Sequence, residues 1–246
     1  MNGPSPHPRI VTAGDHGILI ELGDAIDPAL NARVRWLARA VKERLAADGL
    51  ELVPTYRSLL VLHDPLRVPR AALQRRLEAI LAEVPAEAEA GLPSRTVHLP
   101  ACYGGAHGPD LAAVAEHNRI SPEEVVALHS GATYLVYMLG FTPGFPYLGG
   151  MSPRIATPRL ETPRTKVEAG YVGIGGQQTG IYPVPSPGGW RLIARTPLRL
   201  FDPGAASPFL LTAGDHVRFE PVSAEEFATL SASVEAGTFT PRVEAA

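Results

Sequence analysis

The stretch from Leu139 to Pro203 constrains this chain more than any other. It opens with LGFTPGFPYLGG and, from Pro163, continues PRTKVEAGYVGIGGQQTGIYPVPSPGGWRLIARTPLRLFDP. Glycine admits positive φ and close approach of backbones, whereas proline holds φ near −65°. A segment this dense in both is either disordered or a set of tightly specified turns. Disorder needs low hydrophobicity and high net charge. Here Val172, Ile174, Ile181, Tyr182, Trp190, Leu192 and Ile193 punctuate the turns at strand spacing. The segment therefore reads as short strands joined by shaped loops, a surface suited to building a binding groove.

Charge sharpens that reading. Between Met151 and Arg199 there are seven cations (Arg154, Arg159, Arg164, Lys166, Arg191, Arg195, Arg199) against two acids (Glu161, Glu168), a local balance of +5 within a chain of net charge −3. Such a groove suits an anionic ligand, a phosphate or a carboxylate, because the arginine fork binds either one bidentately. Arg164 is the first candidate, since PRTKV sets Arg164 and Lys166 two apart on one strand face; Arg195 is a further one. Gln178, Thr179 and Tyr182 lie between glycines and a proline, in a segment too rich in turns to hide them. Arg164, Gln178 and Tyr182 form the expected catalytic set. Phe141 and Phe145 flank Pro143-Gly144 as an apolar lip, and Gly188, Gly189 and Trp190 supply a wall. His129, near a helix end, reads as structural.

Other chemistries are excluded or disfavoured. No G-x-x-x-x-G-K-[ST] occurs, so there is no P-loop. GIGGQQTG (Gly173 to Gly180) is followed by the strand residues IYPV rather than by the helix a dinucleotide loop needs. H-E-x-x-H, Cys/His clusters and G-x-S-x-G are all missing. Cys102, the one cysteine, reads as a small buried thiol and permits a reducing compartment. There is no apolar signal region and no run long enough to span a membrane, so the expectation is a cytoplasmic protein that binds neither membrane nor nucleic acid.

Upstream, the pattern is ββαββα. Arg9–Ala13 and Ile18–Leu22 flank a Gly-Asp turn. Asp27-Pro28 caps a helix carrying Leu30, Val34, Leu37, Val41 and Leu45 at helical spacing. Leu50–Thr55 and Ser58–His63 form a second strand pair, and Pro69 opens a second helix. Residues 86–94 read as a linker, so residues 1–90 are expected to form one α+β domain and residues 95–222 a second, strand-rich one. In the second, Thr96–Leu99 is a strand, Pro109-Asp110 opens a short helix, and Ser121-Pro122-Glu123-Glu124 reads as a capping box. Residues 223–246 hold a helix capped by Ser223 and a tail that should fray after Gly237. TAGDH occurs at both Thr12–His16 and Thr212–His216, which reads as the same turn chemistry used twice.

GFTPGFPYLGG, AGYVGIGGQQTGIYP, SPGGWRLIARTP and LFDP, in this order, resemble the family of 5-oxoprolinase B subunits, also called allophanate hydrolase subunit 1, which includes the KipI-type kinase inhibitors. GDHGILIELGD (Gly14–Asp24), PTYRSLLVLHDP (Pro54–Pro65) and PACYGGAHGPDL (Pro100–Leu111) fall where that family has matching segments, so the resemblance spans about residues 9–222, a carboxyltransferase-type region. The chain departs from the family pattern at Tyr171 and Ala194. The resemblance implies a cyclophilin-like β-barrel as second domain. It also implies one non-autonomous subunit of an ATP-dependent 5-oxoprolinase, opening 5-oxo-L-proline to L-glutamate with ATP and Mg as co-substrate of the complex. Proteins like the C-type and A-type subunits of that complex are the implied partners. The alternative it carries is a KipI-type regulator that inhibits a sensor histidine kinase.

Overall fold

The structure is a computed structural model and describes residues 7–88 and 94–245. The chain divides into two compact units, Met1–Pro93 and Ser94–Ala246. Most of the expected linker, residues 89–93, lies outside the described residues, as does the start of the chain.

The first unit runs β1 (Arg9–Ala13), β2 (Gly17–Glu21), α1 (Pro28–Arg44), β3 (Glu51–Pro54), β4 (Ser58–Leu62) and α2 (Arg70–Ala82). This is the ββαββα order read from the sequence. The four strands form one antiparallel sheet in the order β1-β2-β4-β3. Period-two alternation buries Ile18 and Ile20 from β2 with Leu59 and Val61 from β4. They join Val34, Leu37 and Val41 of α1 and Leu73, Leu77 and Ile80 of α2 in one core. The Asp27 carboxylate accepts from Leu30 N–H at 2.9 Å, satisfying one of the donors α1 leaves open.

The second unit is built on a closed β-barrel. Its strands are β5 (Arg95–Tyr103), β6 (Thr133–Leu139), β7 (Pro146–Gly149), β8 (Arg164–Val167), β9 (Tyr171–Gly175), β10 (Gln178–Ile181), β11 (Ser186–Gly188), β12 (Arg191–Arg195), β13 (His216–Pro221) and β14 (Val243–Ala245). The order β12-β9-β10-β7-β6-β13-β5 returns to β12 through Ala194↔Tyr103 and Arg195↔Cys102, so seven strands close the barrel. β8 and β11 form a separate two-stranded ribbon. Helices α3 (Leu111–Asn118) and α4 (Pro122–Ser130) bury Val114 and Val125 in the barrel core with Leu99, Val136, Ile174, Ile193 and Phe219. The last helix is α5 (Ala224–Glu235), which starts with a full capping box between Ser223 and Glu226.

Three local expectations are corrected. The first strand of this unit does not stop at Leu99 but runs through Pro100 to Tyr103. A proline inside a strand removes a ladder donor. His98 N–H bonds Arg242 O outside the β13 pairing, so Pro100, two residues on, faces that same edge, between the stretches paired to β14 and β12. No bond is missed there. Second, the box at Ser121 is half made. Ser121 accepts from Glu124 N–H, but the Glu124 carboxylate pairs with Arg154 at 2.5 Å instead of reaching back. Third, the tail does not fray: β14 pairs antiparallel with β5. His98, 3% exposed, lies 3.0 Å from Glu220 and 3.3 Å from Glu244, and Arg242 bonds Glu220, so the strand is held by side chains as well as by its ladder.

Candidate functional site

The glycines of the dense segment make room for aromatic rings. A Cβ on Gly175 would lie 2.6 Å from the Trp190 ring, one on Gly180 would lie 2.9 Å from the Phe145 ring, and one on Gly188 would lie 2.2 Å from the Tyr182 hydroxyl. Only glycine lets these rings seat against the barrel wall. GIGGQQTG is correspondingly a β-hairpin, β9 to β10, turning at Gly176 with φ +67.

The rings so seated form a pocket of about 290 Å³, lined by Phe141, Phe145, Tyr147, Arg159, Leu160, Pro163, Tyr182, Pro187, Gly188, Gly189 and Trp190. Phe145 is its hub. Its ring stands edge-to-face with Phe141 at 5.6 Å, Tyr182 at 5.3 Å and Trp190 at 5.5 Å, the arrangement the ring quadrupole favours. Phe141 is 62% exposed and sits at φ +66 in a γ-turn closed by Thr142 N–H to Gly140 O at 2.8 Å. That conformation is strained for a bulky residue, and such strain concentrates at ligand clamps and switch regions. The Arg159 guanidinium lies over the Trp190 ring, 5.7 Å from its centroid. Burial raises the Tyr182 phenol; a hydrogen bond from Trp190 N–H and the charges of Arg159 and Arg164 oppose this. The phenol therefore stays protonated at neutral pH.

Of the residues singled out in the sequence, Phe141, Phe145, Tyr182, Gly188, Gly189 and Trp190 converge on this pocket. The other five lie elsewhere. Arg164 donates to the Asp110 carboxylate at 2.8 Å, and Asp110, 8% exposed, also accepts Leu192 N–H at 2.7 Å. Arg164 thus ties the β8–β11 ribbon to the barrel, although its Nη1 is buried without a partner. Lys166 pairs with Glu168 at 2.7 Å on an exposed surface. Arg195 donates to Ala169 O and lies over the Tyr171 ring, 5.1 Å away. Gln178 is half-buried at the start of β10. Thr179 is fully buried and Tyr182 is 1% exposed, so the expectation that turn density would keep these residues on the surface fails for both, although Tyr182 still lines the pocket. The barrel strands are buried on their inner face whatever their turns contain. Tyr147, Arg159, Leu160, Pro163 and Pro187 also line the pocket and were not among the site candidates read from the sequence. Arg159 carried a legible signal as one of the seven cations, but nothing local distinguished it from Arg164.

Thr179 belongs to a hydrogen-bond chain through the barrel interior. Its hydroxyl donates to Gly173 O at 3.0 Å and so accepts from His129 Nε2–H at 3.0 Å; Tyr103 O–H then donates to Nδ1 at 2.7 Å. His129 is fully buried, and loss of solvation pushes its pKa down to about 3. With both nitrogens engaged and the ring neutral, His129 is structural, although its position near a helix end would have favoured a cation there.

Residues 8–211 match the carboxyltransferase domain, subdomain C and D. The chain belongs to that family. The matched span ends before β13, the strand that joins β6 to β5 in the closed barrel. Among relatives, the chain is 43% identical over 229 residues to the 5-oxoprolinase B subunit of Bacillus subtilis, covering 89% of this chain and 95% of that one. The family fold extends to solved structures of longer proteins. The chain spans 40% of TTHA0988 (TM-score 0.75, 38% identity, 85% of this chain) and 16% of the K. lactis urea amidolyase (TM-score 0.80, 27% identity, 96% of this chain). No helix among the described residues is long and apolar enough to cross a membrane.

Proposed function

We propose that this chain is the B-type subunit of a cytoplasmic, ATP-dependent 5-oxoprolinase that opens 5-oxo-L-proline to L-glutamate, working with the C-type and A-type subunits of such a complex. The observation that carries the reading is the 43% identity to the Bacillus subtilis B subunit over 95% of its length, which spans both units of this chain. ATP, bound by the complex with its magnesium, supplies phosphoryl activation of the lactam oxygen. This chain's residues fit a different share of the work. Among the described residues no three His, Cys, Asp or Glu side chains gather as metal ligands. The glycine-rich loop is a hairpin that seats Trp190, and the fully buried His129 is neutral and fully bonded. What the chain does present is an aromatic pocket lined by a tyrosine, Tyr182, and by one arginine, Arg159.

The isolated chain should therefore be catalytically silent. The test is glutamate release from 5-oxoproline with ATP and magnesium, by the chain alone and with its C-type and A-type partners. Turnover only in the reconstituted mixture supports the proposal. Full turnover by the single chain, or none in an assembled complex, counts against it, as does specific capture of a histidine kinase in place of those partners.

A further inference from the structure

Of the seven cations between Met151 and Arg199, five are engaged. Arg154, Arg164 and Lys166 have carboxylate partners, and Arg191 and Arg195 donate to the carbonyls of Pro158 and Ala169. Arg199 lines a different hollow, beside Glu235. Among the described residues, Arg159 alone combines a guanidinium free of any ion pair or hydrogen bond with a place on the aromatic pocket. It lies over the face of Trp190. Its field reaches the pocket, since its charge acts on both Tyr147 and Tyr182 and opposes the effect of their burial.

We propose that this pocket seats a small flat ring bearing one carboxylate, with the ring against the wall formed by Phe141, Phe145 and Trp190 and the carboxylate on Arg159; naming 5-oxoproline as that acid rests on the function proposed above. Phe141 and Trp190 each pack edge-to-face on Phe145, so the wall is made of ring faces and edges, which suit a flat body and give an inorganic phosphate few donors. At about 290 Å³ the pocket is at the small end of ligand sites, with Arg159 as its cation for an anionic group. A nucleoside triphosphate matches neither the volume nor the charge. Arg159 lies over Trp190, 5.7 Å from the ring centroid, with its fork free to engage a carboxylate bidentately. Phe141, exposed and strained on its γ-turn, is the wall able to swing over the ring once it is seated.

The experiment is calorimetric titration of the full chain with 5-oxo-L-proline and with 2-pyrrolidinone, the same ring without the carboxylate. Both are repeated on Arg159→Gln, Arg159→Lys and Phe141→Ala, with urea midpoints to confirm folding. The acid should bind wild type about ten- to hundred-fold more tightly than the neutral lactam. Arg159→Gln should abolish that preference, Arg159→Lys should keep part of it, and Phe141→Ala should weaken both ligands alike. Equal affinity for the two ligands, or an acid preference that survives Arg159→Gln, overturns the assignment. So does absence of binding combined with an unchanged KM for 5-oxoproline in a reconstituted Arg159→Gln complex. Acid-selective binding without turnover in any assembled complex would leave the pocket assigned and remove the 5-oxoprolinase reading instead.

Discussion

Burial of His129 makes the barrel sensitive to acid in a way that can be calculated. The ring is fully buried, Tyr103 and Thr179 occupy its two nitrogens, and its pKa falls from the ordinary 6.5 to about 3. The unfolded chain takes up a proton below pH 6.5, while the folded chain does not until about pH 3. The stabilisation is therefore fully present above about pH 6.5 and is lost progressively as the pH falls toward about 3. At about 1.4 kcal/mol per pH unit, lowering the pH from about 7.5 to 5.0 removes about 2 kcal/mol, and the full window removes about 4–5 kcal/mol. The assay is urea unfolding in a Trp36→Phe background, which leaves Trp190 as the sole tryptophan and so reports on the barrel. His129→Asn should be less stable at about pH 7.5, having lost part of the hydrogen-bond chain, yet should lose about 2 kcal/mol less than its parent between about pH 7.5 and 5.0. Should the variant fail to fold, the wild-type His129 ring signals, followed by NMR, should not move between about pH 7.5 and 4.5. A ring that titrates near 6.5 in the folded protein, or equal losses in both chains, refutes the reasoning.

Arg164→Ala should lower barrel stability by about 1–3 kcal/mol, read from the same urea midpoints, because Asp110 keeps its bond from Leu192 N–H but loses its cation in a largely buried place; an unchanged midpoint would show that the pair is solvated. Gly188→Ala should cost about 1–3 kcal/mol by driving its Cβ into the Tyr182 hydroxyl, and Tyr182→Phe in the same chain should recover only part of that, since the ring carbon Cζ lies 2.6 Å from the same Cβ. Ending the chain after residue 241 should leave the seven-stranded barrel closed, with its near-UV circular dichroism retained. Its midpoint should still fall, because β5 loses the strand that pairs with it near its start and His98 loses a carboxylate.

The sequence determined what depends on near neighbours. Asp27-Pro28 starts α1 because the cap and the proline both act within one helical turn, and Ser223 with Glu226 starts α5 for the same reason. The alternation around Ile18, Ile20, Leu59 and Val61 is enough to imply a one-faced sheet covered by helices. The density of glycine and proline between Leu139 and Pro203 is enough to imply short strands and shaped turns. What the sequence left open depends on which groups meet across long separations. Arg164 and Asp110 are 54 residues apart, and only the folded chain shows that this arginine is spoken for. Arg159 reads no differently until the fold leaves it over Trp190 without a partner. Gln178 and Thr179 are adjacent, yet their places on β10 leave the first half-buried and seal the second inside the barrel against His129. The tail acquires a strand because β5 has an open edge near its start and carries a buried histidine beside it. In each case the deciding quantity is a partner or a lost water shell, which closure of the barrel creates and no local pattern encodes.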